Sequence, residues 1–296
     1  MNSQLKGHLY VILATLVIAG SFIATANVSD QLHPISLNLM RFTIAALILF
    51  PIVLMRKNSW KSFKRVLPRS LVISFFFCGY FVCNFAAMLT TTTLNVGSIY
   101  TLTPLVTAIF SVLLLKHKLT IKILVIYLLG MIGTLWVIFE GNLQHLREFN
   151  LNQGDLVFLV GVVFMACYTI AMKRLYRDDD VTIMTFANLF GGVIWTLIAV
   201  VVVDIDLNWH SLKSDYYPSM AYLAIAATFL TSYLYQKAST YMSPVNISAY
   251  IYLSPAFVAL LSIVMTGEAI KSTLWVGIIL SAFATAVLQL ITLKKR

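Results

Sequence analysis

Apolar residues in this chain run for about twenty positions at a time, and charged or turn-forming residues are confined to the short breaks between runs. An α-helix rises 1.5 Å per residue, so a run of about 20 crosses a hydrocarbon core of about 30 Å. Ten such runs can be marked: 8–27, 35–55, 70–89, 95–115, 122–140, 154–173, 182–203, 218–236, 245–266 and 273–292. Composition agrees with that reading. At 60% hydrophobic and 11% charged residues, the chain has too little polar surface for a soluble domain. The expected fold class is an all-α integral membrane protein of ten transmembrane helices. Pro34, Pro68, Pro218 and Pro244 stand near expected span starts, where a missing backbone N–H costs least. The first run has no small-residue cleavage site after it and reads as a retained helix, not a signal peptide.

The chain is also written twice. Asn95-Val-Gly-Ser-Ile-Tyr-Thr-Leu-Thr-Pro104 returns as Asn246-Ile-Ser-Ala-Tyr-Ile-Tyr-Leu-Ser-Pro255, with Asn, Leu and Pro in matching places 151 residues later. Upstream, Gly7-His-Leu9 returns as Gly154-Asp-Leu156 and Ile23-Ala24 as Ile170-Ala171, at a spacing of 147. Residues 1–150 and 151–296 therefore read as two repeats within one transmembrane domain. Each holds five spans, an odd number, so the second must enter the membrane from the opposite face. The expectation is an inverted-topology repeat, a design that recurs in secondary transporters with the substrate site near the midplane.

Charge fixes the expected orientation. On the side shared by both termini lie 17 Lys and Arg residues, from Lys6 through Arg56, Arg69, Lys122 and Lys173 to Arg296. The other side has three, Arg147, Lys213 and Lys271. The excess of positive charge predicts cytoplasmic N- and C-termini. It accounts for the basic residues as topology signals, so no nucleic-acid partner is expected.

Polar residues inside the runs mark a candidate pathway. Tyr80 and Asn84 are four apart and share a helix face; Thr228, Thr231, Ser232 and Tyr235 occupy helical spacings, with Tyr233 beside them. Asn246, Tyr250 and Ser254 form another stripe, with Tyr100 and Thr103 as its counterpart in the first repeat, while Ser21 and Tyr168 sit near the middles of their runs. Neutral donors and acceptors with aromatic rings suit a small amphipathic molecule. The competing reading is that Ser and Thr bond back to their own helices or glue helices together. The expected substrate-binding set is Ser21, Tyr80, Asn84, Tyr100, Thr103, Tyr168, Ser232, Tyr233, Tyr250 and Ser254. Pro104 and Pro255 would leave the carbonyls of Tyr100 and Ile251 without a donor and act as hinges facing the cavity. Arg41, seven residues past Pro34, is the one charge inside a run and a candidate by default, set against snorkelling or a structural tie.

Other chemistry is not indicated. Asp155, Glu140 and Glu268 are peripheral to the runs, so no midplane carboxylate suggests itself as a proton relay. Asp178-Asp179-Asp180 reads as a solvated turn. His8, His33, His117, His145 and His210 lie at run ends or in breaks without a second ligand at i+3 or i+4, and Cys78, Cys83 and Cys167 read as small core residues. No metal, cofactor or catalytic group is expected. A membrane-embedded enzyme would need titratable groups converging at one depth; a channel is separated from a carrier by conductance steps.

At this point the residues resemble the EamA-type members of the drug/metabolite transporter superfamily over nearly the whole chain. The features are Ala19-Gly20-Ser21-Phe22, Leu39-Met-Arg41-Phe42, Leu102-Thr103-Pro104 with Leu253-Ser254-Pro255, and Gly267-Glu268. Ala19 stands where the family usually has Trp, and Lys116-His117 replaces Gly-Glu. The resemblance implies an exporter of the bacterial inner membrane, and the inverted repeat adds alternating access; the expected partners are a small-molecule metabolite and the lipid bilayer, with the chain acting as a monomer. Spans three, four, eight and nine would line its cavity. Amino acids and other neutral or zwitterionic metabolites head the implied substrates, followed by nucleosides, drugs and other amphipathic compounds.

Overall fold

The structure is a computed structural model that describes residues 3–116, 120–142, 144, 147–148, 151–266 and 272–293. His117, His145, Lys271, Gly267 and Glu268 lie outside the described residues. Among the described residues every regular element is helical. In the first half these are α1 (Ser3–Val28), α2 (Pro34–Leu54), α3 (Ser59–Met88), α4 (Thr93–Tyr100), α5 (Thr103–Leu115) and α6 (Ile121–Ile138). The second half has α7 (Gln153–Leu175), α8 (Val181–Val203), α9 (Tyr217–Ala221), a π-helix (Tyr222–Leu230), α10 (Thr231–Tyr241), α11 (Pro244–Ala249), a 3-10 turn (Tyr250–Leu253), α12 (Ser254–Thr266) and α13 (Leu274–Leu293).

Nine stretches among the described residues are long and apolar enough to cross a membrane. The protein is a multi-pass membrane protein. The expected run 218–236 is not among the nine; it is occupied by α9, the π-helix and α10 laid end to end. A π-turn widens the helix and offsets the side chains that follow it, a distortion that hydrophobic periodicity does not announce. The third run also begins earlier than expected. α3 spans 30 residues from Ser59, and Pro68 sits inside it instead of at its start.

Helix starts in the two halves are set by matching residues. His33 accepts from the backbone N–H of Ile35 at the head of α2, and 147 residues later Asp180 accepts from those of Thr182 and Ile183 at the head of α8. Thr92 caps α4 through Asn95 N–H, and 151 residues later Ser243 caps α11 through Asn246 N–H. A short polar side chain at each position satisfies a backbone donor that the first helical turn leaves unpaired.

Packing is matched as well. α1 lies on α10 as α7 lies on α3; α1 lies on α12 as α7 lies on α5; α2 lies on the π-helix as α8 lies on α3. Two bundles result, one of α3, α4–α5 and α7, the other of the π-helix with α10, α11–α12 and α1. On one flank α2 packs against α8, and on the other α6 packs against α13. The α6–α13 approach is close enough to exclude side chains. A Cβ on Gly277 would meet the Gly133 carbonyl oxygen at 2.5 Å, and one on Gly133 would meet Ser281 N at 2.7 Å. Small residues let helix backbones touch in this way inside membranes.

One pair breaks the matching. α5 packs along α11, whereas their counterparts α4 and α12 stand apart with a cavity between them.

Candidate functional site

The cavity has a volume of about 380 Å³ and lies where both broken helices are interrupted. One wall is α4 with Gly97, Tyr100 and Thr101; the facing wall is Ser254, Pro255 and Val258 of α12. Ala19 and Phe22 of α1 and Thr134 of α6 complete it, and Thr93, Glu140 and Leu274 at helix ends mark its mouth. Most of this lining is apolar, with hydroxyls at the floor and Glu140 at the rim.

The two helices are broken differently from expectation. Pro104 and Pro255 do not bend continuous helices. Each is the second residue of a new one, α5 or α12, a position where the absent N–H would be unpaired in any case. The break is the turn at Thr101–Leu102 in the first half and the 3-10 turn Tyr250–Leu253 in the second. Pro255 lines the cavity, and Pro104 is buried in the packing around α5.

Behind Tyr100 the tyrosines converge. The rings of Tyr80 and Tyr100 are 6.1 Å apart, both lean on Phe158 at 6.2 and 6.4 Å, and Tyr168 stacks on Phe77 at 4.4 Å. Tyr235 of α10 is buried in the same core cluster as Tyr80, Tyr100 and Tyr168. Within the described residues, the Tyr100 and Tyr168 hydroxyls, Asn84 Oδ1, Thr103 Oγ1 and Ser254 Oγ are buried without a hydrogen-bond partner. Of these, Tyr100 and Ser254 line the cavity, and buried polar atoms are ordinarily paired, so an unpaired one at a cavity wall is a place where a water or ligand fits.

The remaining expected residues fall elsewhere. Ser21 donates to the Ile18 carbonyl at 2.7 Å and Ser232 to that of Phe229 at 2.9 Å, so each bonds back to its own helix. Tyr250 shares a 2.6 Å hydrogen bond with His8. Tyr233 is half-buried, and it is Tyr235, two positions on, that joins the cluster. Tyr235 lies on the Thr228–Thr231–Ser232 stripe, so the signal for it was present in the spacing.

Arg41 is 1% exposed and does not snorkel. Its Nε donates to Thr228 Oγ1, its Nη2 donates to the Ala227 carbonyl at 3.2 Å, and the guanidinium lies 3.8 Å above the Phe81 ring. Asp155 stands in the first turn of α7, at the end of its run as expected, and is fully buried there, where Asn95 Nδ2 donates to it at 2.9 Å and Asn152 N–H at 2.8 Å, together with the Thr91 hydroxyl. Asp179, expected in a solvated turn, is buried and gripped by Arg69 at 2.7 and 3.1 Å.

The profile of the EamA-like transporter family matches residues 5–139 and matches again over 152–290. The chain belongs to the EamA-like transporter family. An uncharacterized transporter of Archaeoglobus fulgidus is 24% identical over 270 residues, 90% of this chain and 91% of that protein. The uncharacterized transporter YyaM of Bacillus subtilis is 23% identical over 243 residues, 81% of this chain and 79% of that protein. A solved structure, described only as a crystal structure of a protein, superposes with a TM-score of 0.72 at 18% identity, covering 99% of this chain and 98% of that one, which shows a shared fold. Family and relatives together mark this chain as a membrane transporter.

Proposed function

We propose that the protein is a secondary transporter of ten membrane crossings, built as two inverted five-span repeats of residues 1–150 and 151–296. It exports small neutral or zwitterionic metabolites, amino acids foremost, across the bacterial inner membrane by alternating access. The supporting observation is the broken pairing. α5 and α11 close the protein at one face while α4 and α12 part around a cavity at the other. In an inverted repeat the mirror-image state closes α4 on α12 and opens α5 from α11, which delivers the cavity to the opposite side. The continuous helical run from Tyr217 to Tyr241 supplies the tenth crossing.

Lys116, Lys173 and Arg174 lie at the closed face, so the excess of positive charge makes that face cytoplasmic and the open one external. Apolar walls with hydroxyls at the floor suit an amphipathic cargo of modest size, and a 380 Å³ cavity is at the small end of ligand sites. Nucleosides and drugs are the second reading, favoured by the aromatic lining.

The test is counterflow into proteoliposomes preloaded with a cell metabolite extract, with uptake read by mass spectrometry. Saturable, selective exchange that falls at least about tenfold in Tyr100→Ala, a truncation at the cavity floor, supports the reading. Conductance steps in place of saturable exchange, or exchange untouched by that change, overturns it.

A further inference from the structure

Arg41 is a buried cation with no counter-charge among the described residues. Arg69, which is only partly buried, has the buried Asp179 bidentate against it. Arg41 is more deeply buried, yet among the described residues no carboxylate lies within ion-pairing distance of it. Its partners are all neutral, and Nη1 has none. A guanidinium offers five N–H donors in a fixed fork, so an idle Nη1 leaves two of them unused in an apolar interior.

The π-helix explains how the side chain is held. Thr228 gives its hydroxyl proton to the Leu223 carbonyl five residues back at 2.7 Å, which turns its oxygen toward Arg41 as an acceptor. The Ala227 carbonyl takes both Thr231 Oγ1 at 2.8 Å and Arg41 Nη2 at 3.2 Å. Widened turns of this kind recur at functional sites. Neutral acceptors orient the guanidinium without cancelling its charge. From α2 it reaches between the bundles, stacked on Phe81 of one and hydrogen-bonded to the π-helix of the other. The Phe81 ring beneath it lies 5.1 Å from that of Tyr80, which lies 6.1 Å from that of Tyr100 at the cavity floor.

We infer that Arg41 is the substrate's anion reader: a carboxylate on the cargo binds at the idle Nη1, one tyrosine pair deeper than the open cavity. This rests on the transport reading above. A single unbalanced positive charge matches a monoanion. A phosphate monoester, with close to two negative charges, would call for a second cation, and Arg41 is the one buried basic side chain among the described residues. Binding there neutralises the charge while touching both bundles, so occupancy bears on the elements that rearrange.

The experiment uses proteoliposome counterflow with three probes of one shape, L-phenylalanine, L-phenylalaninamide and 2-phenylethylamine, on the wild type, Arg41→Gln and Arg41→Lys. The wild type is expected to prefer phenylalanine over its amide by about tenfold or more, since a charge-assisted bond discriminates at that scale. Arg41→Gln brings the ratio to within about threefold while 2-phenylethylamine exchange persists, and Arg41→Lys keeps part of the preference. The wild-type arm needs no variant to fold. A wild type that carries the amide as well as the acid, or an Arg41→Gln that keeps the full ratio, overturns the inference and leaves transport standing. A wild type that exchanges none of the three overturns it together with the amino-acid part of the transport reading.

Discussion

Single residues decide how close this molecule's helices come. At the α6–α13 crossing the Gly277 Cβ position is 2.5 Å from the Gly133 carbonyl oxygen, a contact with rigid backbone on both sides. Gly277→Val forces those backbones apart, and overpacking of this kind costs about 1–3 kcal/mol. Thermal unfolding of the purified variant should show a lowered midpoint; an unchanged midpoint means the two helices separate freely. Asp179 matters for a different reason. Its carboxylate balances Arg69 and, at 3.5 Å, Arg65, so Asp179→Asn leaves Arg69 packed without a counter-charge. Loss of about 3 kcal/mol is expected from breaking a buried pair on one side, read by denaturation in detergent. A loss under about 0.5 kcal/mol, the scale of an exposed pair, would return Asp179 to the solvated turn its sequence suggested. That suggestion failed because three consecutive aspartates look alike in sequence. Only the end of α7 packing beside α3 buries the middle one, and Asp178 and Asp180 keep the surface.

At the scale of elements, the legible features were those with a local physical cause. Span lengths follow from bilayer thickness, and the breaks after Tyr100 and before Ser254 fall where proline removes a backbone N–H from the helix. What proline does there was misjudged, since it opens α5 and α12 in place of kinking a longer helix. The π-helix had no local cause to read. Its wide turn is held by Thr228 and Ala227 engaging Arg41 from a helix 186 residues away in sequence, so it exists only once α2 is in place. The same distance hid the site's membership. Tyr235 enters and Tyr233 stays out because the π-turn sets the azimuth of everything after it. Pro255 permits a direct test of the break. Alanine there restores an N–H and allows the 3-10 turn and α12 to merge into one helix. Stability should change by less than about 1 kcal/mol, because proline in a first turn costs little, while exchange falls severalfold as the floor of the cavity straightens. Full exchange by Pro255→Ala would show that the interruption is incidental to transport.

For the whole molecule, alternating access requires the closed face to be held by contacts weak enough to break. The polar contacts that cross between bundles there are few. Lys173 Nζ of α7 donates to the Ser239 carbonyl of α10 at 2.8 Å, and on the flank Arg56 of the α2 end meets Asp180 at the head of α8 at 3.0 Å. At the position matching Lys173, 147 residues earlier, the first repeat has Ala26, which can offer no such bond at the open face. Under the proposed alternating-access cycle, the difference favours the state in which the cavity beside α4 and α12 is open. A hydrogen bond from a charged donor contributes about 1.5–3 kcal/mol, so Lys173→Met should move the ratio of the two states about tenfold or more toward the other side. Thr107, buried in α5 on the closed half, reports it. With Thr107→Cys in a chain whose own three cysteines are replaced, a membrane-impermeant thiol reagent applied from the basic face should react severalfold faster when Lys173→Met is added. An unchanged rate there, with α5 still shielded, would mean that apolar packing of α5 on α11 holds the face shut by itself and that the lysine is a bystander.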